Sequence, residues 1–390
     1  SPPLFARLLR TRLQQQVRSA PPRLHRRAAA WLAEQGLIPE AITHALRGED
    51  FEPAAGWIEA CASKLFELGE YTTLRTWLQA LPETVLASRP ELDLTNAWVL
   101  AYLGEVEWAG QRLAAAEQVF LARGDQKGKG AAANLRADLA IPAGDNQEAA
   151  TQARQALDLL PDTESALRGM SWIYLGSVAF LRGQMDEARP ALNQGRELCR
   201  QSGNTTGMRQ AACMLAQTRM AQGDLPEAAA LLEDICAQTG HLPVYEGLVA
   251  RLLLSAIWRE WNRLEEAGKA LRETLQRVEE SGQAQYLLQG WQELALLCWE
   301  QTDPEGMKAA LFQQARLLDS LNAPLEQAQA EAFQVRLAIL SGDLNSAQDW
   351  AARQAFPEVS FLNKYPALTL ARWLLRQDPK QALEFVERLA

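Results

Sequence analysis

Cysteine and histidine are both scarce. Cys61, Cys199, Cys213, Cys236 and Cys298 stand alone in a chain of 390 residues, with no Cys-x-x-Cys pair. Neither a disulfide framework nor a zinc knuckle is expected from such spacing. The cysteines read as small buried hydrophobes of a reducing compartment. His25, His44 and His241 lie far from every cysteine and form no His-Glu-x-x-His, so no metal ligand is assigned. No apolar run approaches the ~18 residues that span a bilayer, and the start, Ser1-Pro2-Pro3-Leu4-Phe5, lacks a signal-peptide core. A cytoplasmic location with no membrane partner is the expectation.

Positive charge is short as well. Lys and Arg number 39 against 48 Asp and Glu, a net charge of -9. A dedicated nucleic-acid surface needs clustered cations, so direct nucleic-acid contact is not expected. One local exception stands out: Arg7, Arg10, Arg12, Arg18, Arg23, Arg26 and Arg27 all precede the first acid, Glu34. That asymmetry marks a solvated helix face, a docking surface for another module, or a contact with DNA. Catalytic patterns are missing too. There is no Gly-x-Ser-x-Gly elbow and no Cys/His/Asn set. The loop Gly124-Asp125-Gln126-Lys127-Gly128-Lys129-Gly130 has the wrong glycine spacing and no hydroxyl after its lysine, so it is no phosphate cradle. No catalytic residue and no cofactor are assigned, and an enzyme is not expected.

What remains is helix, repeated. Ala, Leu, Gln, Glu and Arg dominate, apolar residues recur at helical spacing, and no alternating β-branched stretch occurs. A turn of the form Gly-Asp-x-x-x-Ala recurs at Gly104, Gly144, Gly183, Gly223, Asn262, Thr302 and Gly342, in steps of 40, 39, 40, 39, 40 and 40 residues. Glu105, Gln184 and Arg263 take the place of the aspartate at three of them, and Thr302-Asp303…Met307 is a degenerate copy. A fixed period of this size marks a solenoid of two-helix units. Gly would close the first helix (A) in a left-handed cap, the acidic residue would cap the second (B), and the alanine five residues on would let the two helices approach. The unit resembles the tetratricopeptide repeat, best in Trp172-x-x-Leu175-Gly176, although that repeat runs to ~34 residues. The expected fold is all-α, a right-handed superhelix of such repeats over 91–390, preceded by a helical connector over 21–90.

Three segments carry a narrower resemblance. Leu24–Ala55 is similar to the segment that follows the winged helix in MalT-like regulators, the large ATP-dependent members of the LuxR transcription-factor family. Pro3–Gln14 is similar to the end of that winged helix, so 1–20 reads as its tail. Leu242–Ala267, with Pro243, Glu246, Leu248 and Arg251, resembles the family's mid-array segment. The resemblance implies a sensor array that binds a small-molecule inducer and takes part in self-association of an activator. ATP would belong to a separate module absent from this chain, as would a C-terminal helix-turn-helix. The implied partners are the inducer, the neighbouring ATPase and DNA-binding modules, and a second copy. A protein-interaction scaffold that holds a peptide or regulatory protein is the alternative.

In tetratricopeptide arrays helix A lines the inner wall, at positions 13, 10, 6 and 3 residues before the marker glycine. Transferred here, these positions include Asn134, Asp138, Phe180, Gln210, Gln217, Arg259, Gln289, Gln292, Trp299 and Arg336. Amides and guanidinium groups exchange hydrogen bonds with hydroxyls or carboxylates, and an aromatic face covers apolar carbon. These ten are the candidate ligand-binding residues. Trp172 and Trp291 fall at the repeat's packing position, eleven before the marker, and are expected in the core with Trp31, Trp57 and Trp77. Trp258 and Trp261, like Trp299, lie near turns and could stack on a ligand.

Overall fold

The computed structural model describes residues 20–240, 244–281, 284–320, 324–354 and 364–389; the expected winged-helix tail and Arg7, Arg10, Arg12 and Arg18 lie outside them. All regular structure among the described residues is α-helical. The helices are α1 (Ala20–Glu34), α2 (Ile38–Arg47), α3 (Phe51–Leu68), α4 (Tyr71–Gln79), α5 (Glu83–Ser88), α6 (Pro90–Tyr102) and α7 (Val106–Arg123). Next come α8 (Gln126–Ala140), α9 (Asn146–Leu159), α10 (Ser165–Leu181), α11 (Met185–Ser202), α12 (Thr205–Ala221), α13 (Leu225–Thr239) and α14 (Tyr245–Glu260). The last are α15 (Leu264–Ser281), α16 (Ala284–Glu300), α17 (Pro304–Ser320), α18 (Pro324–Leu340), α19 (Leu344–Ala351), α20 (Lys364–Gln377) and α21 (Pro379–Leu389). None is long and apolar enough to cross a membrane.

The predicted turns account for the pairing. All seven marker residues adopt positive φ, the non-glycines Asn262 (59°) and Thr302 (55°) included. At each, the following N–H reaches back across the turn, as in Glu105 to the Leu100 carbonyl (2.8 Å) and Arg263 to that of Trp258 (2.8 Å). That pattern is a Schellman cap, and it reverses the chain within a few residues. The alanine five residues on is fully buried in Ala109, Ala149, Ala188, Ala228 and Ala347. The acidic cap is only partly realised. Asp145, Asp224, Asp303 and Asp343 each accept a backbone N–H three residues on. Glu105 does not, because its longer side chain reaches Arg75 instead, at 2.8 Å.

The chain separates into two compact units: residues up to Leu135 with Asp158–Pro161, and Arg136–Leu157 with Asp162 onward. The first unit closes around Ile42, Ile58, Leu74, Leu78 and Leu92. Trp77 belongs to that core and Trp57 packs partly against it, whereas Trp31 is 58% exposed, a correction to its expected burial. Trp31 sits near the end of α1, whose Arg23, Leu24, Arg26 and Arg27 are exposed too.

The second unit stacks A–B pairs from α10/α11 to α20/α21, and apolar seams run from pair to pair. Ile173 and Leu192 lie in one shared by α10, α11 and α12, Leu232 and Ile257 in one shared by α12, α13 and α14, and Leu271 and Phe333 in one that runs from α14 to α18. The α10/α11 pair lies closest, since a Cβ on Gly195 would come within 2.8 Å of the Gly169 carbonyl oxygen.

Two substitutions test this packing in opposite directions. Gly195→Ala must push apart two backbones and is expected to lower stability by about 1–3 kcal/mol. Thr302→Gly removes a β-branched residue from a left-handed turn and should raise stability by about 0.5–1 kcal/mol. Urea midpoints of both variants against the parent chain check the pair of signs.

Candidate functional site

The ten predicted wall residues divide on burial. Asn134 is 1% exposed and Phe180 6%, so neither lines a solvent-facing wall. Phe180 joins the core seam of α10/α11. Their positions turn toward neighbouring helices because close A–B packing leaves less of helix A uncovered than a general repeat rule assumes. Asp138, Gln210, Gln217, Gln292, Trp299 and Arg336 are half-buried, and Gln289 is exposed. Asn134 lies in the first unit and the other nine in the second. On α12, Gln210 and Gln217 share a face one heptad apart. The Gln210 Oε1 is buried without a hydrogen bond, and the Gln217 Nε2 finds only the Met214 sulfur, 3.6 Å away.

Arg259 is not a free wall cation. Its side chain is 11% exposed and bridges α14 to α16. Nη1 donates to Glu300 Oε1 at 2.7 Å, Nε to Glu293 Oε2 at 3.4 Å, and Nη2 to Glu260 Oε1 at 2.8 Å. Burial opposes the Arg259 charge, but Glu293, Glu300 and Glu260 outweigh it and hold the guanidinium above its usual range. Burial also raises the Glu293 carboxyl, against the pull of Arg259 and Arg336. Three carboxylates therefore face two guanidinium groups, which leaves one net negative charge at the joint between adjacent repeats. Gln292 and Trp299 stand beside this cluster on α16, and Gln292 makes no hydrogen bond of its own. Glu293 and Glu300 were missed as site residues. The available signal was an arginine and a glutamate about one period apart, which stacking brings together.

Two further buried pairs support the same wall. Glu246, in the mid-array segment, is fully buried, and its carboxylate lies 3.7 Å from Arg209 Nε on α12. Burial raises its carboxyl and Arg209 draws it down. Asp138 faces the Tyr174 hydroxyl, which is buried without a hydrogen bond of ordinary geometry. Burial pushes the Asp138 carboxyl up to about 6, and Tyr174 offsets part of that. Of the remaining aromatics, Trp291 is half-buried and packs against the core around Leu271 and Leu294, Trp172 is half-buried, and Trp261 is 38% exposed. Trp258 lies under the Arg263 guanidinium at 5.3 Å. No cluster of His, Cys, Asp and Glu suited to a metal ion occurs among the described residues.

The family model of the MalT-like TPR region matches residues 130–390, the stretch that carries the inner-wall residues. The chain belongs to the MalT-like TPR-region family. The transcriptional regulator MalT of Yersinia enterocolitica is 32% identical over 284 residues, 70% of this chain and 31% of that protein. MalT of Vibrio campbellii is 30% identical over 274 residues, 68% and 30%. The chain thus spans about a third of the length of these curated relatives. Among solved structures, a Rap protein complexed with competence and sporulation factor gives a TM-score of 0.62 at 12% identity, covering 86% of this chain and 96% of that one. The quorum sensor NprR with its cognate peptide NprX gives 0.56 at 12%, covering 90% and 96%. A signal-transduction ATPase with a tetratricopeptide repeat sensor, from Pyrococcus horikoshii, gives 0.53 at 12%, covering 93% and 54%. At such identities the likeness shows the helical-repeat fold alone.

In this MalT-like region the Asp138 carboxyl makes a pH signature. Its folded-state value, about 6, lies above the ordinary 3.8, so the folded chain holds the proton more tightly. Its contribution to stability is present below about pH 4 and is lost as pH rises to 6, at most about 3 kcal/mol. Asp138→Asn removes the charge. It should raise the urea midpoint at pH 7.5 and flatten the profile between pH 4 and 6.5; an unaltered profile contradicts the assignment.

Proposed function

We propose that this array is the effector-binding sensor region of a transcriptional regulator, and that a small hydroxyl-rich molecule binds along α16 beside the α14–α16 joint, whose closed interior has no room for it. The observation that carries the reading is the Arg259–Glu293–Glu300 joint, with Gln289, Gln292 and Trp299 along the same helix. Carboxylate oxygens accept hydrogen bonds from hydroxyls, and amides supply both donors and acceptors. The Trp299 ring offers an apolar face to ring carbons. Gln210 and Gln217 extend the polar wall to α12.

The same joint suggests how binding is felt. A buried ion cluster between repeats is sensitive to any group that competes for its oxygens. A ligand that binds one arrangement of the repeats more tightly shifts the population toward it. In the full-length regulator that shift would act on a neighbouring ATPase module and on self-association. A pure interaction scaffold differs in needing an extended peptide along several repeats.

Thermal unfolding against mono-, di- and trisaccharides, with short peptides alongside, tests the reading. A ligand at a hundredfold its Kd adds about 2.7 kcal/mol, and the transition should rise by several degrees. Gln292→Ala should weaken the effect about tenfold, the loss expected for one or two hydrogen bonds to a polar ligand, with the parent fold kept. Arg259→Ala is a poor probe, because it strands Glu293 and should cost about 3 kcal/mol of stability. Stabilisation by peptides alone, with Gln292→Ala indifferent, would overturn the proposal in favour of the scaffold.

A further inference from the structure

A cavity lies against α10, on residues that the α14–α16 joint does not use. It opens between α9 and α11, with α10 as its floor, and encloses about 690 Å³. That volume is ample for a small ligand. Trp172, Leu175, Val178 and Ala179 form the floor, and Ala150, Leu157 and Ala191 the walls. Trp172 explains part of its openness: the indole fills no core seam and is half-buried. The rim is basic. Arg154 makes no hydrogen bond or ion pair, and Arg182 reaches only the Asn146 carbonyl, at 3.2 Å. The rim's one carboxylate, Glu187, accepts from Gln184 at 3.1 Å.

The repeat supplies an internal comparison. The same place two repeats on, between α13 and α15 over α14, encloses about 300 Å³. Four residues before its marker that repeat carries Trp258, where α10 carries Ala179. Arg251 stands there in place of Trp172, and Glu233 in place of Arg154. The α10 groove is the roomier one, with Ala179 where the other carries an indole, and its rim sets two cations against one carboxylate. Surplus guanidinium charge in a chain of net charge -9 selects an anion, and the apolar floor selects a flat, hydrophobic body.

We infer that the α9–α10–α11 groove binds a small organic acid with a flat apolar body, its ring on Trp172 and Leu175 and its carboxylate at Arg154 and Arg182. This site is separate from the α14–α16 joint and does not rest on that reading.

Calorimetric titration of the whole chain with 2-naphthoate, and with neutral 2-naphthamide, tests it. Saturable binding of one naphthoate is expected, with naphthamide weaker by about tenfold, the value of a charge-assisted hydrogen bond. Arg154→Glu, a surface change, should weaken naphthoate by at least the same factor. Ala179→Trp, which copies the residue of the α14 repeat, should abolish binding. Gln292→Ala should leave it unchanged. Absence of saturable binding up to about 1 mM, equal affinity for acid and amide, or full affinity in Arg154→Glu would each overturn the proposal.

Discussion

A left-handed turn every 39 or 40 residues is the constraint on which the array depends. Each turn closes helix A with a Schellman cap and starts helix B within a few residues, so consecutive helices must run antiparallel. The alanine five residues on then decides how closely they lie, since a larger side chain at that fully buried position would hold the helices apart. Glycine serves the turn at most positions. Asn262 tolerates it through its short amide, while Thr302 takes the same conformation at a cost in strain.

A fixed period has a consequence for charge. Side chains one repeat apart in sequence become neighbours across the stack, which is how Arg259 reaches Glu293 and Glu300. The Arg209–Glu246 pair follows the same rule between α12 and α14. These ion pairs are half- to fully buried, so each is costly to break yet gains little over an apolar contact. Their value lies in setting which repeat faces which, and under the proposed reading they are also where a polar ligand would act. Two grooves follow the period as well, against α10 and α14, and the one with Ala179 in place of Trp258 is the larger.

The family, the all-helical class and the turns were legible in the sequence because each rests on local chemistry. A glycine before an acid and an alanine five residues on specify a cap and a close approach without reference to the rest of the chain. The wall was legible only in part. Spacing along a helix says which residues share a face, and it placed Gln210 with Gln217 and Gln292 with Trp299. It does not say what the neighbouring helix covers, so Asn134 and Phe180 were assigned to a wall that packing closes over. The role of Arg259 depended on residues about one repeat away, and that of Trp172 on residues of its own and the flanking helices. Arg259 is taken up by two glutamates of α16, and Trp172 stays half-open because Ala150, Ala179 and Ala191 around it are small.

The central claim is that the joint between α14 and α16 senses a hydroxyl-rich effector. Hydrogen exchange read by mass spectrometry, on the whole chain with and without each saccharide of a mono- to trisaccharide series, tests it most directly. The account predicts that at least one saccharide slows exchange in α12, α14 and α16 while the helices of the first unit exchange as before. Unchanged exchange in those three helices across the whole series, or slowing confined to other helices, would contradict it.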